Sequence, residues 1–173
     1  MADDELIKEF EHKFAVMQKR LGFKSSLEEL DRLFYLKDFI MKEGFVSGRL
    51  SRMVCGRILS TFGIWENYFH ALMIPNPSSM PNVEESKMID EADKKEMLRI
   101  MTKIRELTTR NTIVGLEGDE KEEAKLIDDS LQLWNANNEF FIKLMKKMNA
   151  GWIKSLKDGI DKKINPKKDF EFF

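Results

Sequence analysis

Apolar residues recur along this chain at spacings of three and four, with almost no strand-like alternation, so nearly every segment is predicted helical. The first helix is expected over about Asp3 to Leu21, where Leu6, Phe10, Phe14, Met17 and Leu21 share one face and Gly22 supplies a stop. Ser26 followed by Glu29 forms a capping box, so a second helix begins there; it carries Leu27, Leu30, Leu33, Phe34, Ile40 and Met41 and ends at Gly44. A third runs from Ser47 to Ile74 and stops at Pro75.

That third stretch is the expected centre of the fold. Only four of its 28 residues are charged: Arg49, Arg52, Arg57 and Glu66. A helix apolar nearly all round is normally buried by several neighbours. Gly56, Ser60 and Gly63 form a stripe of small residues along which another helix is expected to approach closely, while Ile58, Phe62, Trp65, Phe69 and Leu72 make its bulky faces.

The segment Pro75 to Asn82 reads as a loop, because its prolines and serines do not continue a helix. A fourth helix is expected from Asn82, with Glu85 completing a cap, to about Asn111, and Gly115 and Gly118 break it. Asp119 with Glu122 opens a fifth. There Ala124, Ile127, Leu131, Trp134, Asn138, Phe141, Met145, Met148 and Trp152 follow the alternating spacing of a heptad seam, with Asn138 its one polar member. The fold expected is all-α, an antiparallel up-and-down bundle of about five helices, with one domain over residues 1–158 and a tail over 159–173 bearing Phe170, Phe172 and Phe173.

Composition narrows the function classes. Hydrophobic residues make up 42% and charged residues 34% of the 173, a balance that argues against global disorder. With 29 basic and 30 acidic residues, the chain has no global electrostatic drive toward nucleic acid or membrane, although a local patch remains compatible with that balance. The acidic start lacks the apolar core of a secretory signal, and no run is apolar enough to span a bilayer. Cys55 is the only cysteine, which excludes an intramolecular disulfide and fits a reducing, cytoplasmic setting.

Candidate chemistry is sparse. Glu9 and His12 form one Glu-x-x-His pair, where a di-iron bundle uses two such pairs plus two further inward glutamates, and Glu66 with His70 are four residues apart. Surface placement is the simpler account of Glu9 and His12, and no cofactor is expected. Neither a Walker A loop nor a GxGxxG loop is present, and Cys55 reads as a small core residue. Most of the 11 methionines are explained by core packing, with an adaptable binding surface as the sharper reading. The acids from Glu117 to Asp129 suit a helix N-terminus. Apolar and methionine-rich surface, with Asn138, Met145, Met148 and Trp152 as interface candidates, suggests a module that associates with itself or with a protein partner.

One stretch suggests a family. The segment Ile104 to Gly118, IRELTTRNTIVGLEG, resembles the end of the active-site helix in HEPN domains, small α-helical bundles of RNA-cleaving toxins, CRISPR-associated ribonucleases and antiphage systems. In that family an arginine and a polar residue, often Asn, precede a histidine by about four to six residues. Arg110 and Asn111 match, and the histidine position falls near Gly115, where there is none. The upstream patch of Trp65, Glu66 and Tyr68 is also similar, and the resemblance in helix order covers about Ser47 to Trp152. It implies a non-catalytic member acting through dimer or partner contacts, since RNA cleavage needs a group that moves a proton near neutral pH and arginine does not. The alternative it implies is a ribonuclease with displaced groups drawn from Arg110, Asn111, Glu66 and His70.

Overall fold

The computed structural model describes Ala2–Ile164, with side chains from Asp3 to Lys157. The described residues form helices and connections without a strand, so the chain is all-α. Seven helices are present among them where the periodicity suggests five: α1 (Ala2–Leu21), α2 (Leu27–Phe34), α3 (Leu36–Glu43), α4 (Leu50–Met73), α5 (Met80–Ser86), α6 (Glu91–Glu117) and α7 (Glu120–Ile164).

The two additional helices have local causes. Tyr35 adopts the left-handed conformation (φ 53°, ψ 52°) and divides the expected second helix into α2 and α3. Such a conformation costs a non-glycine residue about 1–2 kcal/mol. It is held by the Tyr35 amide on the Asp31 carbonyl (2.8 Å) and the Lys37 amide on Asp31 Oδ1 (2.8 Å). Without the break, Phe34 and Leu36 would lie about 200° apart around one helix. With it, both are buried. The carbonyl released at Phe34 accepts from Arg57 Nε (2.7 Å), whose guanidinium lies 5.7 Å from the Phe39 ring centroid.

The segment expected as a loop turns helical at Met80, because Pro81 sits in the first turn, where its missing N–H is no loss. The expected fourth helix is interrupted after Ser86 and resumes at α6 under a reciprocal cap. The Asp93 amide donates to Asp90 Oδ1 (2.9 Å) and the Asp90 amide to Asp93 Oδ2 (3.2 Å). Gly115 lies inside α6. The stop falls at Gly118, whose positive φ (75°) and amide bond to the Val114 carbonyl (2.8 Å) close the helix. Helix α7 continues through Gly151 to Ile164, beyond the expected boundary at 158/159. Phe170, Phe172 and Phe173 lie outside the described residues.

The chain forms two compact units. Among the described residues, the first joins those up to Phe69 with Met97–Asn137; the second joins His70–Glu96 with those from Asn138 onward. In the first, Phe10, Phe14, Phe34, Phe62, Phe69, Leu30, Ile58 and Ile104 are buried. Phe34 and Phe62 meet Trp134 of α7 at centroid distances of 5.5 and 6.0 Å, and Trp65 lies 6.5 Å from Trp134. Edge-on ring contacts of this kind add to ordinary burial.

In the second unit, Leu72, Ile89, Phe141, Leu144 and Met148 are buried. Lys147 pairs with Asp90 (2.8 Å) and with Asp93, and Trp152 Nε1 donates to Glu85 (3.0 Å). Gly151 leaves room for Met88, whose sulfur lies 2.2 Å from where a β-carbon would stand.

The small-residue stripe of α4 is not a packing seam. Among the described residues, no other side chain or neighbouring element comes within 4 Å of a β-carbon built at Gly56 or Gly63, and Ser60 and Ile64 beside them are exposed. The stretch looked apolar all round because glycine and serine carry no charge, yet α4 buries one face only.

Candidate functional site

The four charged residues of the α4 stretch each reach a different neighbour. Arg57 takes the Phe34 carbonyl, as described. Arg52 Nη1 donates to both the carbonyl (2.9 Å) and Oδ1 (2.7 Å) of Asn111 on α6. Arg49 Nη2 donates to Glu123 Oε1 (2.8 Å), and Glu66 accepts from Arg105 of α6.

Glu123 is fully buried, and its second oxygen accepts from Ser51 Oγ (2.6 Å). Its backbone carbonyl accepts from Cys55 Sγ (3.2 Å). Burial, with the Glu123 charge nearby, pushes the Cys55 thiol up to about 12, so it stays protonated at neutral pH and is not a nucleophile there.

Arg110 and Asn111, adjacent in sequence, point to different tasks. Arg110 Nη1 pairs with Asp129 on α7 (2.5 Å), and its Nη2 lies 3.5 Å from Glu122. Asp129 raises the Arg110 pKa, chiefly through that hydrogen bond. Asn111 is engaged by Arg52. At the expected histidine position, Gly115, a β-carbon would stand 2.5 Å from the Arg52 guanidinium. The bare backbone of that residue is the space in which Arg52 lies against α6.

Arg110 lines a groove of about 450 Å³ between α6 and α7, with Lys103, Glu106, Asp129 and Gln132 on its walls and Leu107 and Leu133 along its floor. Its two cations are balanced by two carboxylates, and the Arg110–Asp129 pair lies across one wall. The groove belongs wholly to the first unit, whereas His70 is exposed in the second.

The remaining candidates are dispersed. Glu9 is exposed and pairs with Lys13 (2.6 Å), while His12 lines a separate groove of about 390 Å³ with Val16, Ser47 and Gly48. No group of three metal-ligating side chains occurs among the described residues. Met148 is buried, Asn138 and Trp152 are half-buried, and Met145 is exposed. The buried asparagine of α7 is Asn137, whose Oδ1 accepts from Arg99 and whose Nδ2 donates to the Leu133 carbonyl (2.6 Å).

The acidic start of α7 is consumed internally. Glu120 pairs with Arg20 (2.5 Å), Glu122 with Lys125, Glu123 with Arg49, and Asp129 with Arg110. Asp128 accepts from the Ser25 amide (2.8 Å) and hydroxyl (2.6 Å). Sequence periodicity carries no signal for these long-range partners. The roles of Arg52, Asp129 and Ser51 have no local signal, because each acquires its role from a neighbour 19 or more residues away.

Among the described residues, no helix is long and apolar enough to cross a membrane. Comparison with protein-family models, with curated proteins and with solved structures finds no match. The class that the coordinates define is therefore an all-α helical protein.

Proposed function

We propose that this chain is a non-catalytic helical interaction or assembly module, working through contacts with a second copy or with another protein in the cytoplasm. In this reading it is a degenerate relative of HEPN-like bundles, with antiparallel up-and-down helices and no motif histidine. One contrast carries the proposal. Arg110, Asn111 and Glu66 are each engaged by an intramolecular partner, while the second half of α7 leaves Ile142, Met145, Ile153 and Leu156 exposed. Apolar side chains aligned along an exposed helix mark a contact surface.

Two measurements test it. Size-exclusion with light scattering over a range of concentrations should show self-association that Asn138→Leu and Leu156→Ser alter; a strict monomer at high concentration, unchanged by Asn138→Leu, would count heavily against the proposal. Incubation with mixed RNA, beside Arg110→Ala, examines the enzyme reading. Cleavage abolished by that substitution would overturn the non-catalytic proposal.

A further inference from the structure

The second half of α7 is lopsided in charge. From Phe140 to Lys157 it carries five lysines and no acid. Lys147 is taken by Asp90 and Asp93, whereas Lys143, Lys146, Lys154 and Lys157 are exposed. Around the helix, Ile142, Met145, Ile153 and Leu156 fall within a sector about 80° wide, and the four exposed lysines fill the sector beside it, about 40–120° from Ile142. On the other edge of the strip, Phe141, Leu144 and Met148 are buried. An exposed apolar strip is thus bordered by cations on one side and by the body of the second unit on the other.

Three occupants are conceivable, and the charge pattern separates them. A second copy meeting strip to strip would set lysine rows against each other. The acids at the start of α7, which would relieve that repulsion, are already committed to Arg20, Arg49, Arg110 and Ser25. A lipid surface suits a helix with a wide apolar sector and cations on both flanks; here the sector is narrow and one flank is protein. A single helix with an apolar edge and an acidic edge matches both features.

We propose that this strip docks an acidic amphipathic helix of a partner protein, one that inserts apolar side chains spaced three and four apart and sets Asp or Glu opposite Lys146, Lys157, Lys143 and Lys154. The mode is helix-against-helix recognition, with apolar anchors giving affinity and the lysine row choosing the sign of the partner. The proposal rests on the interaction-module reading and goes further by naming the partner's chemistry.

Fluorescence anisotropy on the full chain tests it with two synthetic helical peptides that share their apolar positions, one flanked by Glu and the other by Lys. The Glu peptide should bind about tenfold or more tightly than the Lys peptide, with the gap narrowing as salt rises. Lys146→Glu with Lys157→Glu should reverse the preference, and Ile153→Ser with Leu156→Ser should weaken both, with circular dichroism unchanged in each variant. Equal binding of the two peptides, no binding of the Glu peptide, or a preference indifferent to the lysine substitutions overturns the proposal. So does association with phosphatidylglycerol vesicles when the Glu peptide is ignored. A dimer dissolved by the Ile153→Ser and Leu156→Ser changes would assign the strip to a second copy. That outcome would remove this inference while leaving the interaction-module reading in place, whereas Arg110-dependent RNA cleavage would overturn the non-catalytic part of that reading without bearing on which peptide the strip prefers.

Discussion

Glu123 offers the sharpest test of how the first unit is held together. Its carboxylate has no solvent exposure and takes one donor from Arg49 (2.8 Å) and one from Ser51 (2.6 Å). Glu123→Ala removes the acceptor for both and leaves a cavity among buried neighbours. The Ser51 hydroxyl loses its acceptor in a buried site, while the half-exposed Arg49 guanidinium regains water, so the loss should be about 1–3 kcal/mol. For a chain of this size, with about 2–4 °C per kcal/mol, that corresponds to a fall in Tm of about 2–12 °C. Ser51→Ala strips one donor from a buried oxygen and should cost about 1–3 kcal/mol. Arg49→Ala should cost at least as much as Glu123→Ala, because it leaves the buried carboxylate with the Ser51 hydroxyl as its remaining donor, whereas the half-exposed guanidinium is hydrated once Glu123 is gone. Urea unfolding followed by far-ultraviolet circular dichroism gives each value, and the Glu123→Ala/Ser51→Ala double variant gives their coupling. A loss below about 1 kcal/mol for Glu123→Ala would show that water replaces the carboxylate as the acceptor for both donors and would refute the reasoning from burial.

Three further outcomes are expected. Asp128→Ala should cost about 1.5–3 kcal/mol and speed hydrogen exchange at the Lys24 and Ser25 amides, both of which donate to that carboxylate. The Lys147 ammonium, and next the Asp93 amide, hold the Asp90 carboxyl down from 3.8 to about 2, so its contribution is complete above pH 3.8 and is lost as pH falls toward 2; a carboxyl-detected NMR titration of the wild type, against Asp90→Asn stability over the same interval, checks this. The Cys55 thiol should resist a thiol reagent at pH 8 in the native state and react at the rate of a free thiol once urea unfolds the chain, as its burial and raised pKa require.

Much of the helix layout was legible because its signals are local. Gly22, Ser26, Gly44 and Asp119 act within one turn, and each ends or begins a helix as its chemistry suggests. The break at Tyr35 was not legible, because a tyrosine in the left-handed region is disfavoured by itself and is sustained by Asp31 and by Arg57, the latter 23 residues from the carbonyl it takes. Asp90 and Asp93 form a cap that the Asn82–Glu85 pair upstream obscured. The seam of α7 illustrates a different limit. The buried stripe keeps a seven-residue repeat, as Ile127, Phe141 and Met148 and again as Ser130, Asn137 and Leu144. Its second position thus falls three residues after the first, where the sequence pattern set it at four, and Met145 is exposed. At the candidate site Arg110 and Asn111 stood out as a pair, but their separate partners, Asp129 and Arg52, are brought in by the packing of α7 and α4.

The four ionic side chains of the α4 stretch have one more consequence. Apolar packing is forgiving of small rotations and slides, since one methyl group is much like another. Arg49, Arg52, Arg57 and Glu66 are not interchangeable in this way, because each has a single address: Glu123, Asn111, the Phe34 carbonyl and Arg105. A shift of α4 by one residue would misdeliver all four at once. The helix therefore works like a notched key, in which greasy surface supplies the grip and a few charges decide the only depth at which it turns. Substitutions among its apolar residues should be absorbed by neighbours, while moving one of these charges by a single position should be felt at the far end of every contact it abandons.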